Sequence, residues 1–528
     1  MEVTPPYTQV RGFRVRGNRT APAAYERPGH NALHRMEHYD LCVIGGGPAG
    51  YAAAMRAIDL GRRTLLVERD RIGGTGIYNG ALASKTLWEI SQRVAAANEM
   101  VRHRGREPFR PDWDDINRTL NEALFERKYL YACHMQLLEN NGGLFTHLRG
   151  QATFTGPNTL AVVRQGLATE VSAEHVVIAT GSRPRTLPNV PVDEKRIVTS
   201  DGIFRIDELP ASIVIIGAGV IGCEFATIFS NLGRTRVHLI DRAERILPFE
   251  DADVSELVAR NLERRGVIIH RNARLDRIEA MPHGVEYDLS YADGRTERVV
   301  VEKALLSVGR IPNLEHLDLQ RAGLTVDPRT GLLPLEDTRS AVPHIHVVGD
   351  ASGRNMLVNL GEQEARHAVE RMFGLGPAPL THDLVSTIMF LDPEVAGVGL
   401  NEQECRKRGI PHRVARIDYA CLARAIAMRR TKGFFKLIVS DDEEMHVLGM
   451  RAVGEHASSA IQAVALMMQE RIGIRAIARL VHPHPSITEG VQECARMLLG
   501  TSIFKSPVFG DKMLCHRWAP APAEERAA

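Results

Sequence analysis

Three stretches carry residue types at spacings that could do chemistry. Gly45, Gly47 and Gly50 stand in GxGxxG register, and Gly217, Gly219 and Gly222 repeat it. This spacing suits a phosphate. The first glycine permits a tight turn, the second lets a pyrophosphate approach the backbone, and the third lets a helix pack closely on its strand. An acid follows each set by about twenty residues, Glu68 and Asp241, where a carboxylate can accept hydrogen bonds from a ribose diol. The third stretch is GGTGIYNGALASK, Gly73 to Lys85, glycine-rich and closed by Ser84 and Lys85. Taken alone, Lys85 reads as a solvated surface lysine.

The elements that must position these residues are legible around them. YDLCVIGGGPAGYAAAMRAIDLGRRTLLVERD gives an apolar strand, a glycine turn, an alanine-rich helix and a second strand ending at Glu68. SIVIIGAGVIGCEFATIFSNLGRTRVHLIDR repeats that order and ends at Asp241. In each unit the helix N-terminus presents free N–H groups and a partial positive charge to a phosphate. A single fingerprint is a weak signal, but two in full βαβ context predict two bound dinucleotides.

Val101 to Gly142 reads as helical, and short alternating strands follow around Ala152 to Val163. VVIATGSRP, SVGRIPN and IHVVGDAS each read as a strand running into a turn, and the last carries Asp350. From about Pro377 the pattern changes to alternating strands and amphipathic helices, with VAGVGL, GFFKLIV and MHVLGMRAVG as strands.

Bulk properties narrow the class. The 528 residues predict several domains, a formal net charge of +2 predicts no nucleic-acid partner, and apolar runs well short of the roughly 18–20 residues that span a bilayer predict no membrane insertion. The seven cysteines form no CxxC or metal-ligand cluster, so no metal is expected and a reducing, cytoplasmic setting is. Residues 1–36, arginine-rich with four prolines, read as a disordered arm, with an organelle-targeting peptide as the discounted alternative. The end of the chain reads as a tail from 513 to 528.

Several ordered motifs together resemble the pyridine nucleotide:disulfide oxidoreductases. They are the fingerprint at Gly45, the ATG at Ala179 to Gly181, the fingerprint at Gly217, GRIPN at Gly309, the GD at Gly349 and Asp350, and HPHPSITEG at His482 to Gly490. The resemblance runs from about Tyr39 to Gly510. It implies an α/β fold of two Rossmann-like dinucleotide-binding domains plus a C-terminal α+β dimerisation domain. The expected boundaries are 37–192 with 316–374 for FAD, 193–315 for NAD(P), and 375–512 for the interface of a homodimer.

The resemblance also implies roles. Glu68 would hold the adenosine ribose of FAD and Asp350 its ribitol, with Gly74, Thr75, Thr180, Gly181, Gly309 and Gly349 as further cofactor contacts. Lys85 and Glu224 would pair beside the flavin where nicotinamide stacks. His484, oriented by Glu489, would enter the partner subunit's site. Asp241 favours NAD(H), although it also suits a plain strand end, and Arg242 and Arg245 could turn the preference to NADP(H).

One departure matters most. The family reads GGTCLNVGCIPSK over the glycine-rich segment, and here Gly76 and Ala81 stand at its two redox cysteines. Neither side chain can form or attack a disulfide. The expected function is therefore an FAD-dependent NAD(P)H oxidoreductase that passes electrons to a small non-disulfide acceptor, with Gly76 and Ala81 leaving room for it. Three alternatives stay open: soluble NAD(P) transhydrogenation, to whose branch the resemblance is closest; kinship with dihydrolipoamide dehydrogenase in name only; and a catalytically idle, redox-sensing flavoprotein. Cys42 and Cys223 read as small core hydrophobes, and Cys515 as the one cysteine on a mobile tail.

Overall fold

Short apolar runs bounded by glycines or acids are the mark of strands buried on both faces of a parallel sheet. The structure, a computed structural model describing residues 36–102, 106–140 and 142–520, arranges them so. Strands Phe145–Arg149, Thr64–Glu68, Glu37–Ile44, Leu167–Ile178 and Ile345–Val347 lie parallel in that order. The long strand Leu167–Ile178 turns its first half to an antiparallel pair, Thr159–Arg164 and Gln151–Gly156.

The second unit repeats the plan. Ile268–His270, Arg236–Ile240, Ser212–Ile216, Lys303–Leu306 and Ile197–Thr199 form a parallel sheet in that order. Its strand residues alternate between two cores. Val214 and Ile216 pack against Tyr287 and Leu289 of an antiparallel three-stranded sheet, 273–301. Ile213 and Ile215 share the opposite core with Leu87, Trp88, Phe225 and Phe229, where helices Ala81–Arg102 and Val220–Leu232 lie together. Covered on both sides, Val220–Leu232 buries ten of its thirteen residues, including Glu224.

The C-terminal part is a six-stranded antiparallel sheet in the order Thr387–Met389, Val395–Gly399, Val447–Val453, Phe434–Ser440, His412–Asp418, Met513–Trp518. Its last strand corrects the expectation of a tail from 513. Residues 513–518 pair with His412–Asp418 along the sheet edge, and Cys515 sits there opposite Ala415 rather than on a mobile end. Only Met513 of that strand is buried, so the alternation that marks a half-buried strand in a sequence is missing. The expected arm at 1–36 lies outside the described residues except for Met36, as do residues 521–528.

A buried ionic cluster ties this sheet to the second unit. Lys436 Nζ donates to Asp253 (2.6 Å), Asp251 (3.2 Å) and Glu402 (3.4 Å), while Arg451 Nε donates to Glu250 at 2.8 Å. Burial disfavours the charged ammonium, but the three carboxylates outweigh it and hold the Lys436 pKa above its ordinary value. Among the described residues no helix is long and apolar enough to cross a membrane.

Candidate functional site

Both glycine turns are built the same way. Gly45 and Gly217 have φ of +107° and +102°, a region that favours glycine. A Cβ at Gly50 would lie 1.8 Å from the Gly45 carbonyl oxygen, and one at Gly222 would lie 1.9 Å from that of Gly217. The middle glycines differ: around Gly47 and Gly219 nothing lies within 4 Å of where a Cβ would be. The first and third glycines are thus filled by protein, and the second opens outward beside a helix N-terminus. That is the arrangement a pyrophosphate requires.

The acids at the strand ends hold these turns. Glu68 Oε2 accepts from the Gly46 N–H at 2.7 Å and Oε1 from the Asp70 N–H at 2.7 Å. Asp241 accepts from the Ala218 N–H (2.7 Å) and the Ala243 N–H (2.8 Å). Each carboxylate is fixed by the backbone and remains able to accept further hydrogen bonds from a ligand.

Three segments distant in sequence converge on the first turn. The Gly73 N–H donates to the Gly46 carbonyl at 2.7 Å, and Gly74, at φ +45°, lies against Gly47. A Cβ at Gly349 would come within 3.0 Å of Ala49. Thr75 lies in the helix Gly74–Tyr78 that follows this contact. Next to Gly349, Asp350 accepts from Ser182 Oγ at 2.6 Å, and Ser182 Oγ in turn accepts from Arg310 Nε at 2.8 Å. Thr180 Oγ1 donates to the Asn313 carbonyl at 2.7 Å, and the Asn313 N–H donates to the Gly181 carbonyl at 2.9 Å. Gly181 and Gly309, with φ of +71° and +102°, turn the two strands Ser182–Pro184 and Arg310–Pro312 that make this junction.

Lys85 and Glu224 meet. Lys85 Nζ donates to Glu224 Oε2 at 2.9 Å across 139 residues of sequence. Glu224 is 5% exposed, and its other oxygen accepts from the Phe390 N–H at 3.0 Å. The Lys85 ammonium lies 4.9 Å from the centre of the Phe390 ring, a cation–π distance. Phe390 is held in turn by its neighbour, since Trp88 Nε1 donates to the Leu391 carbonyl at 3.0 Å. Sequence reasoning missed Phe390, Ser182, Arg310 and Glu364. The last is buried, accepts from the Gly349 N–H at 2.8 Å, and has its pKa pushed up to about 7, chiefly by burial. A buried acid beside the GD motif was the only signal available, and sequence spacing alone does not reveal burial.

His484 and Glu489 stand apart from this assembly. Among the described residues His484 Nδ1 bonds only Glu489 Oε1, at 2.8 Å, and Glu489 Oε2 accepts from the Ser486 N–H at 2.8 Å. The His484 side chain is 71% exposed.

The glycine-rich segment corrects one expectation. A Cβ at Gly76 would lie 2.5 Å from Pro48 Cγ, so the missing side chain leaves no room there: the helix Gly74–Tyr78 lies against the start of helix Pro48–Asp59. Ala81 is exposed. All seven cysteines are unpaired, and Cys42, fully buried in the first strand, has its thiol pKa pushed up to about 12 by burial. A thiol so placed is inert.

Residues 39–368 match the pyridine nucleotide-disulphide oxidoreductase family, and 385–495 match its dimerisation domain. The chain is 33% identical to dihydrolipoyl dehydrogenase 3 of Pseudomonas aeruginosa, covering 89% of this chain and 99% of that one, and 31% identical to the Bacillus subtilis dihydrolipoyl dehydrogenase over 88% and 99%. Among solved structures it is similar to the Cu(II) complex of the HOCl-induced flavoprotein disulfide reductase RclA from Escherichia coli. That match has a TM-score of 0.78 and 25% identity, over 88% of this chain and all of the other. LpdA from Mycobacterium tuberculosis matches equally, with a TM-score of 0.78 and 26% identity over the same shares. With two phosphate-ready turns, an acid at each strand end and both family regions matched, the chain belongs to the pyridine nucleotide-disulphide oxidoreductase family, flavoproteins that use FAD and NAD(H).

Proposed function

We propose that this protein is an FAD-dependent NAD(P)H oxidoreductase, working as a homodimer, that delivers electrons to a small acceptor other than a disulfide. One observation carries the reading. The Lys85–Glu224 pair is intact, while Gly76 and Ala81 occupy the positions of the redox cysteines. FAD, when bound, supplies the hydride acceptor for reduced nicotinamide and the electron donor for the second substrate.

The chain's own residues bind, orient and balance charge. The turn at Gly45 with Glu68 and Asp350 would hold FAD, and the turn at Gly217 with Asp241 would hold the nicotinamide dinucleotide. Asp241, fixed by two backbone N–H groups, accepts from an unmodified ribose and repels a 2′-phosphate, which favours NAD(H) over NADP(H). Glu224 accepts from both Lys85 and the Phe390 N–H, so the lysine is held in place by a buried carboxylate. Its positive charge is then available to stabilise negative charge that develops on reduction. With Nδ1 bonded to Glu489, His484 can take up or release a proton at Nε2, and its exposure suits entry into a partner's site.

The test is anaerobic titration of the flavin with NADH and NADPH, followed by turnover with a quinone, an NADP analogue and oxidised lipoamide. The expected outcome is flavin bleaching by NADH, turnover with the quinone or the analogue, and none with lipoamide. Lipoamide reduction by the purified chain would overturn the reading.

A further inference from the structure

Two histidines are buried in the core of the second dinucleotide unit, close to its acid. His238 lies on strand Arg236–Ile240, three residues before Asp241, and His270 ends the neighbouring strand Ile268–His270. Their rings are nearly parallel, at 11°, and His238 Nδ1 lies 3.1 Å from His270 Nε2. The chain continues to the three-stranded sheet, where Tyr291 Oη lies 2.6 Å from His270 Nδ1.

Two ring nitrogens at that distance share one proton, so one donates and the other accepts. Burial first, then His270 and Arg236, push the His238 pKa down to about 4, and burial lowers that of His270. Both rings are therefore neutral near pH 7. Around the pair stand Glu297, 3.7 Å from His270 Nδ1, and Tyr287, whose ring centre lies 6.4 Å from that of His238. A single imidazole in this core would leave a buried polar atom unpaired, and each of the two satisfies the other.

The strand that the chain braces is short. Ile268–His270 is an edge strand of three residues, with few ladder bonds of its own. Yet the turn that follows it holds Asp241 from both sides. The Asp241 N–H donates to the His270 carbonyl at 3.0 Å, and the Ala273 N–H donates to the Asp241 carbonyl at 3.0 Å. The Asn272 N–H donates to the Ala243 carbonyl at 3.1 Å, and Ala243 is one of the two residues whose N–H groups fix the Asp241 carboxylate. Where this turn sits decides where the carboxylate points.

We propose that the chain His238–His270–Tyr291 positions Asp241 and thereby sets the preference for NADH over NADPH. The inference rests on the reading of Asp241 as the ribose acceptor, and adds the residues that aim it. They are positioning residues, acting through Asp241. A hydrogen bond from a ribose hydroxyl needs a narrow distance and direction, whereas repulsion of a 2′-phosphate falls off gradually with distance. Loosening Asp241 therefore weakens NADH and leaves NADPH nearly unchanged. General loosening of the unit would weaken both alike.

The test uses the FAD-loaded protein in anaerobic stopped-flow titrations with NADH and NADPH, which give a dissociation constant and a limiting bleaching rate for each. His238→Leu should raise the NADH constant by roughly fivefold, what one hydrogen bond contributes, with the NADPH constant, the flavin content and the limiting rate unchanged. His238→Asn, which keeps a polar group at the Nδ1 position, should restore most of the loss. Tyr291→Phe, at the less buried end, should act in the same direction and decides the matter should His238→Leu fold poorly. Tyr287→Phe removes a hydroxyl that has no partner among the described residues and should change neither constant. Equal weakening of NADH and NADPH in His238→Leu or Tyr291→Phe, no change in either variant, or as large a loss in Tyr287→Phe would overturn the proposal. Asp241→Asn separates the two levels. If it leaves the ratio of the two constants unchanged, the reading of Asp241 fails and the chain with it; if it shifts the ratio and the histidine and tyrosine variants do not, only the chain fails.

Discussion

The two dinucleotide units follow one backbone design and differ in what surrounds it. The helix of the first, Pro48–Asp59, buries only small residues, Gly50, Ala53, Ala54 and Ala57, which lets helix Val358–Met372 lie close. The helix of the second is enclosed on both sides and buries ten residues, four of them large aromatic or aliphatic side chains, Phe225, Ile228, Phe229 and Leu232. At the position where the second unit has Glu224, two residues past the third glycine, the first has Ala52. Glu224, buried and hydrogen-bonded to the Phe390 N–H, is one of the positions at which the two helices differ, and the proposed chemistry rests on it.

The largest test breaks each frame separately. Gly50→Ala puts a methyl group 1.8 Å from a carbonyl oxygen, and Gly222→Ala one 1.9 Å from another. Gly50→Ala should yield protein without flavin. Gly222→Ala should keep its yellow colour and lose NADH affinity by roughly 100-fold, about 3 kcal/mol. Flavin absorbance and NADH titration read both, and equal flavin loss in the two variants would mean that the units are not separable in this way.

A smaller effect is expected at the exchanged position. Glu224→Gln keeps an acceptor for the Phe390 N–H but removes the charge that holds Lys85. Flavin content should stay constant while stopped-flow bleaching by NADH slows by roughly 10- to 100-fold. Lys85→Met should act alike, and the double variant should be no slower than the slower single, because the two residues act as one unit. Additive losses would show that they act independently.

An effect on stability, not on hydride transfer, belongs to Glu364, beside the first unit. Its pKa is raised to about 7 by burial, with Asp337 and Asp350 adding to the rise and Arg354 opposing it. The folded state therefore holds this proton more tightly than the unfolded chain does. Stability falls as pH rises from about 4.5 to about 7, and the full loss, on the order of 3 kcal/mol, is present above that window. Glu364→Gln should melt near the native protein at pH 4.5 and several degrees above it at pH 8. A difference in Tm that does not change with pH would contradict the assigned burial effect.

How much of this was legible in the sequence depended on whether the signal was local. Gly45 and Gly217 are recognisable because turn, helix and strand lie within one short stretch. The Lys85–Glu224 contact spans 139 residues and was reachable only through resemblance to a family. Phe390 and Ser182 had no signal, since both act through contacts made by the folded chain. The strand Met513–Trp518 escaped because an edge strand with exposed side chains carries no period-two pattern. At Gly76 the residue type is plain in the sequence and its surroundings are not: the Pro48 ring lies 2.5 Å from where a Cβ would be, so the absent side chain does not mean open space.

The buried cluster around Lys436 bears on modularity. Asp251 and Asp253 belong to the second dinucleotide unit, Lys436 and Glu402 to the C-terminal part, and the Lys436 ammonium bridges the two. Separating the two parts at a linker would leave Asp251 and Asp253 without their ammonium and Lys436 with Glu402 alone, on newly bared apolar surface. The nucleotide unit and the terminal sheet therefore form one cooperative block, and a recombination joint placed between them would demand that both halves of the cluster be inherited together.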